Sequence, residues 1–233
     1  MILGVSLLIN MNVMAFAATS DESSDWIVGN EEAWFLKLRK AYSGYGLNYF
    51  LNRILELKGT GYIYDQTKCP DFFIGENHMS EVGCEIAAIH NALITLGQNV
   101  PCSSIIRDIE QNGYIMSSGT TAGFGTDPYA IGEYFDDIDV EYCRYEEYYS
   151  MSIDVELRRG TAGVYIVSFW NNSNNITEGL HTVALYTTDD DDGIYVFNLY
   201  YGFEEALRVN FDSISDYDNF IVGYRLIPAY REN

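Results

Sequence analysis

The chain has 233 residues, 48% of them apolar, with 20 tyrosines and 12 phenylalanines, a composition that supplies a core and excludes a disordered chain. Thirteen lysines and arginines against 34 aspartates and glutamates leave a formal charge of −21, which repels phosphate and anionic lipid and so excludes nucleic acid as a partner. A cationic peptide or surface is compatible with that charge, as is the simpler role of keeping an exported protein in solution.

The first 18 residues carry no charge, and Ile2–Leu8 and Val13–Phe16 are apolar. Ala15-Phe16-Ala17 fits the small-x-small pattern of a signal-peptidase site, so residues 1–17 read as a signal peptide, Ala18 as the first mature residue, and the protein as secreted. The run is too short, and too interrupted by Asn10 and Asn12, for a span of about 20 residues; no later stretch is long enough, so no stable membrane span is expected in the mature chain.

Residues 18–61 read as an N-terminal helical extension. A polar tail at 19–30 leads to a helix over Glu31–Lys40, and Leu47–Leu57 resumes the three- and four-residue spacing with Phe50, Leu51, Ile54 and Leu55. Residues 62–233 form the main domain. Its most legible helix is Gly83–Gly97, where Ile86, Ala87, Ile89, His90, Leu93, Ile94 and Leu96 cover most of the circumference and Gly97 suits the residue past the end. Pro101 starts another helix that runs to Gly113; the Gly/Ser/Thr-rich stretch 117–125 is a loop; Tyr129–Phe135 is helical. The second half changes character: Val140–Tyr142, Gly163–Trp170, His181–Thr187, Gly193–Tyr200 and Phe220–Pro228 read as strands, with the aspartates of 187–193 at a hairpin tip. Helices first and strands second predict an α+β domain with an antiparallel sheet packed on the helical half.

The cysteines are Cys69, Cys84, Cys102 and Cys143. They form no C-x-x-C pair, so a structural zinc is not expected. If Cys84 stays free, at most one bridge can form, with its pairing left open. Cys84 opens the buried helix, where unpaired N–H groups and the helix dipole stabilise a thiolate. The same position also suits a cysteine that merely packs in the core. His181 begins a strand, and Asn198, 17 residues on in the next strand, is placed to accept its second ring N–H and to present the other nitrogen to a thiol. His90 lies about 240° round the helix from Cys84 and faces a different site. Glu85, next to the cysteine, opposes ionisation of the thiol. Segments 119–127 and 168–172 are candidate walls of a cleft, and Asn171-Asn172-Ser173 and Asn175-Ile176-Thr177 are formal sequons.

Gly83-Cys84-Glu85-Ile86-Ala87-Ala88-Ile89-His90-Asn91-Ala92-Leu93-Ile94-Thr95-Leu96-Gly97 resembles the nucleophile helix of the C39-like branch of papain-fold cysteine peptidases. Gly179-Leu180-His181-Thr182-Val183-Ala184-Leu185 is similar to the strand bearing their histidine, and Tyr195-Val196-Phe197-Asn198 to the strand bearing their Asp or Asn. The resemblance spans about residues 62–228. It implies a papain-like fold and a cysteine-dependent hydrolase or acyl transferase acting on a peptide or amide bond, with a peptide or protein substrate, cationic ones included. Such enzymes place a Gln about half a dozen residues before the cysteine; residues 75–80 hold none, and Asn77 offers the same amide on a shorter stem. The resemblance thus implies Cys84 as nucleophile, His181 as base, Asn198 as its partner and Asn77 as an oxyanion donor, with no metal or organic cofactor. The alternative is an exported binding protein on the same fold that has lost turnover. The oligomeric state is left open.

Overall fold

The computed structural model describes residues 45–58, 61–115, 125–146, 162–170, 179–188, 191–199, 201–209 and 220–228. The chain divides into two units, Met1–Ser43 and Gly44–Asn233, and every described residue belongs to the second. The signal-peptide pattern, the helix expected over 31–40, nearly all of the loop at 117–125 and both sequons lie outside the described residues.

Five helices are described: α1 (Tyr45–Leu55, continued by a 3-10 turn at Glu56–Lys58), α2 (Met79–Val82), α3 (Cys84–Thr95), α4 (Cys102–Gln111) and α5 (Ala130–Asp137). Two short strands, β1 (Phe73–Ile74) and β2 (Asn77–His78), form a tight hairpin ahead of α2. Gly75, at φ +56°, occupies the first position of its two-residue loop, where only glycine turns freely. The remaining strands are β3 (Tyr142–Glu146), β4 (Gly163–Trp170), β5 (Leu180–Thr188), β6 (Asp191–Phe197), β7 (Leu207–Val209) and β8 (Phe220–Leu226). They make one sheet in the order β3-β8-β4-β5-β6-β7, antiparallel at every pairing. The domain is α+β, with the helices first.

Helix α3 is the centre of the packing. Ile86, Ala87, Ile89, Ala92 and Leu93 are fully buried, and the helix lies on β4 and β5. Its end is a Schellman motif: Gly97 stands at φ +77°, its N–H donates to the Ile94 carbonyl at 2.8 Å, and the Gln98 N–H donates to Leu93 at 2.8 Å. The sheet carries two cores because strand residues alternate sides. Val164, Ile166, Ala184, Val222, Tyr224 and Leu226 join the helices. Tyr165, Val167, Phe169, Val183, Leu185, Ile194 and Val196 make a second cluster.

His90 is fully buried, as its helix position implies. Its ring nitrogens lie 2.9 Å from the Val100 carbonyl and 3.0 Å from the Gly61 carbonyl, so it ties two stretches of chain together. The third strand starts and ends later than the spacing predicts, because Val140 caps α5 through a 2.9 Å bond from its N–H to the Phe135 carbonyl. The Gly193–Tyr200 strand is corrected too. It begins at Asp191 and stops at Phe197, because Asn198 takes a left-handed backbone at φ +56°, which no strand continues through. All four cysteines are free. Among the described residues no helix is long and apolar enough to cross a membrane.

Candidate active site

The approach to Cys84 is built for close contact. Residue 83 links α2 to α3 with no room for a side chain, since a Cβ there would collide with the side chain and carbonyl of Met79. This glycine lets two helices meet almost end to end and leaves Cys84 as the first residue of α3, with Ala87 donating its N–H to the Gly83 carbonyl at 2.9 Å.

The Cys84 side chain is buried between its own helix and the start of β5. Its Sγ–H reaches Glu85 Oε2 at 3.2 Å, and the sulfur lies 3.9 Å from the Leu180 carbonyl, with the Thr182 N–H also directed at it. The thiol therefore sits against the backbone on either side of His181. Glu85 is fully buried. Its Oε1 accepts from Thr182 Oγ1 at 3.3 Å, which leaves Ser168 Oγ–H to donate to Thr182 Oγ1 at 2.9 Å, and the Thr126 N–H donates to the same carboxylate. Gly125, at φ +82°, closes over this group; a Cβ there would lie 2.9 Å from the Val82 carbonyl and 3.4 Å from Glu85 Oε2.

Two opposing effects act on the thiol, and their outcome corrects the expectation from the helix start. The dipole and free N–H groups favour the thiolate. Burial removes the water that would solvate it, and the adjacent carboxylate adds like charge. Burial first, then Glu85, push the Cys84 thiol well above its ordinary value. Burial also raises the Glu85 carboxyl to about 7, against the donors that hold its charged form. The resting pair is a thiol donating to a carboxyl whose hold on its own proton burial has strengthened.

His181 faces the opposite situation. Its Nε2–H donates to the Asn198 backbone carbonyl at 2.7 Å, and its ring meets Phe169 edge-on at 5.7 Å between centroids. A carbonyl can only accept, so the proton resides on Nε2 and Nδ1 carries the lone pair. Burial lowers the His181 ring below its ordinary value, the Asn198 carbonyl working against that, so the ring is neutral. Among the described residues Nδ1 has no hydrogen-bond partner, and the His181 and Cys84 side chains share no hydrogen bond.

The four residues singled out from the sequence therefore fall into two groups. Cys84, His181 and Asn198 converge at the start of α3, the start of β5 and the end of β6. Asn198 meets His181 through its backbone oxygen rather than its side chain. Asn77 stands in β2, opposite Ile74 and half-buried, and its side chain hydrogen-bonds none of the other three. The side chain of Asn198 turns instead to Gln66: the Gln66 N–H donates to Asn198 Oδ1 at 2.9 Å and Asn198 Nδ2 donates to Gln66 Oε1 at 2.8 Å. Sequence reasoning gives Gln66 no role because it precedes Cys84 by too many residues. The only signal is that it is the nearest glutamine upstream. Among the described residues no cluster of His, Cys, Asp and Glu is arranged to hold a metal.

No family model and no curated protein matches this chain. Solved structures do resemble it. The peptidase domain of Streptococcus ComA, a bi-functional ABC transporter involved in a quorum-sensing pathway, is 14% identical with a TM-score of 0.41, over 63% of this chain and 91% of that one. A C39-like peptidase from Bacillus anthracis is 12% identical with a TM-score of 0.40, over 66% of this chain and 91% of that one.

Proposed function

We propose that the protein is a secreted, papain-like cysteine hydrolase or acyl transferase acting on a peptide or amide bond. One observation carries this reading: His181 is fixed with its proton on Nε2 by the Asn198 carbonyl at 2.7 Å, and the Cys84 sulfur lies 3.9 Å from the carbonyl of the residue just before it. General-base activation of a cysteine requires a neutral imidazole with a free nitrogen that can reach the thiol, and His181 supplies such an imidazole on the strand against which the Cys84 side chain packs. His181 Nδ1 takes the thiol proton as the sulfur attacks the substrate carbonyl. The oxyanion is held by the backbone N–H of Cys84, and Asn77 is the side-chain amide offered for the second bond. On collapse the leaving amine takes the proton from His181, and a Cys84 thioester remains for water or an acceptor amine. The acidic surface favours cationic peptides among the substrates.

A second reading, an exported binding protein without turnover, is favoured by the Cys84 thiol's burial and its hydrogen bond to Glu85. Alkylation with iodoacetamide across pH, with the adduct mapped, separates the two. The enzyme reading expects Cys84 to react in the folded protein and His181→Ala to slow that reaction markedly. Labelling of Cys84 only after denaturation would defeat it and leave the fold standing.

A further inference from the structure

We infer that Gln66 is a positioning residue for His181, acting through a buried amide-to-amide clasp with Asn198. This deepens the function proposed above and rests on it. Both residues are 4% exposed and lie 132 positions apart in the chain. The clasp is bidentate: Gln66 gives its backbone N–H to Asn198 Oδ1 and accepts from Asn198 Nδ2 on Oε1. The remaining Gln66 donors go to the carbonyls of Met79 at 3.3 Å and Ser80 at 3.4 Å, in the short helix α2 that delivers Gly83 and Cys84. Gln66 thus touches both halves of the site without touching either reacting atom.

The clasp has something to hold. Asn198 sits at φ +56°, a conformation open to asparagine yet rarely its preferred one, and in this conformation its carbonyl meets His181. Free of its side-chain partner, Asn198 would relax toward an extended backbone and take the carbonyl away from Nε2–H. The ring would then lose the acceptor that fixes its tautomer, and Nδ1 would no longer be the sole basic nitrogen. Asp65, the preceding residue, braces the same loop from beyond Asn198 by accepting the Gly202 N–H at 2.7 Å.

The test uses the full chain and the fact that it has three histidines, so each imidazole can be assigned. Two-bond ¹H–¹⁵N correlations report which nitrogen of His181 is protonated. The intact protein should show a single Nε2–H tautomer. Gln66→Met keeps the volume and removes the side-chain half of the clasp; it should give a tautomer mixture and slow alkylation of Cys84 at pH 7 by up to about 100-fold, the scale of a reacting group misplaced by an ångström. Asn198→Ala removes the clasp from the other side and leaves a residue that avoids the left-handed region, and should produce the same signature even if Gln66→Met does not fold. An unchanged His181 tautomer in the variants that fold would overturn the inference, whatever Cys84 does. A shifted tautomer with an inert Cys84 throughout would uphold the positioning role and instead remove the proposed activity.

Discussion

Residues 61–79 and the six-stranded sheet satisfy their buried backbone by opposite means. The sheet pairs main chain with main chain, in long antiparallel ladders such as the eight residue pairs from Gly163↔Thr187 to Trp170↔Leu180. The 61–79 segment has a short hairpin and a few turn bonds of its own, such as Lys68 N–H to the Asp65 carbonyl, and otherwise borrows side chains from the helices. Asn91 on α3 accepts the Ile63 N–H and donates to the Ile63 carbonyl, both at 2.7 Å. Asn52 on α1 does the same for Phe73, at 2.8 and 2.9 Å. Glu110 on α4 accepts the Gly75 N–H at 2.7 Å, and Asn48 donates to the Gly75 carbonyl at 3.1 Å. Each amide acts as a one-residue strand. A segment held this way is only as firm as a few particular side chains, whereas a ladder spreads its loss over many bonds.

The largest expected effect tests that difference directly. Asn91→Ala strands the N–H and C=O of Ile63 in the core and opens a small cavity, and should cost about 4 kcal/mol in urea unfolding. A truncation at an exposed position of an edge strand, Cys143→Ala in β3, should stay within about 0.5 kcal/mol. Equal losses would break the comparison.

Glu85→Gln sharpens it, because here the buried polar side chain is titratable. A carboxyl raised from 4.5 in the open chain to about 7 in the fold binds its proton more tightly when folded. Its contribution to stability is therefore full below pH 4.5 and is lost as pH rises through 7, a difference of about 3 kcal/mol by linkage. Glu85→Gln should abolish that part of the pH dependence and make the protein more stable than the parent at pH 8, as read by thermal melts across pH. It should also lower the apparent thiol pKa of Cys84 by removing the neighbouring charge. His181, lowered by burial, works in the other direction: its contribution is present above pH 6.5 and is lost as pH falls through the folded value. Asn52→Ala comes next. Its two bonds to Phe73 are only partly buried, so water replaces some of what is lost, and about 2 kcal/mol is expected in the same urea experiment.

The comparison also explains what was legible from the sequence. The sheet and α3 announce themselves by periodicity, since Val, Ile and Tyr alternate along the strands and apolar residues wrap the helix. Cys84 and His181 are readable because each sits at the end of such an element. The 61–79 segment has no period, because its partners are asparagines and a glutamate 21 to 35 positions away. Gln66 is hidden for the same reason, its partner being 132 positions distant. The termination of β6 before Asn198 depends on that same distant contact, so a strand through residue 200 is the natural reading of Val-Phe-Asn-Leu-Tyr taken alone. Burial of Cys84 is equally tertiary: a helix start suggests an acidic thiol, and the packing of β5 against it, with the buried Glu85 alongside, reverses the sign.

The smallest expected effect concerns the same two stretches that the Gln66–Asn198 clasp joins. Lys68 and Glu204 also connect them, at 3.9 Å, with the side chains 50% and 90% exposed. Both pairs look like bridges between residues 65–68 and 198–204, but water competes freely for the second and is excluded from the first. An exposed ion pair at this distance contributes between 0 and about 0.5 kcal/mol once the ordering of two long side chains is counted. Lys68→Ala should therefore leave the urea midpoint almost unmoved, show no difference between low and high salt, and keep His181 in its single Nε2–H tautomer. Asp65→Asn should behave differently. Burial works against the Asp65 charge, but donors from Thr67 and Gly202 together with Lys68 outweigh it and hold the carboxyl below its ordinary value. Its contribution is present at neutral pH and is lost as pH falls through the folded value. Asp65→Asn should thus destabilise the protein at pH 7 and not at pH 2. A Lys68 variant as damaging as the Asp65 one would mean that the loop is held by charge at its rim rather than by the buried bonds beneath.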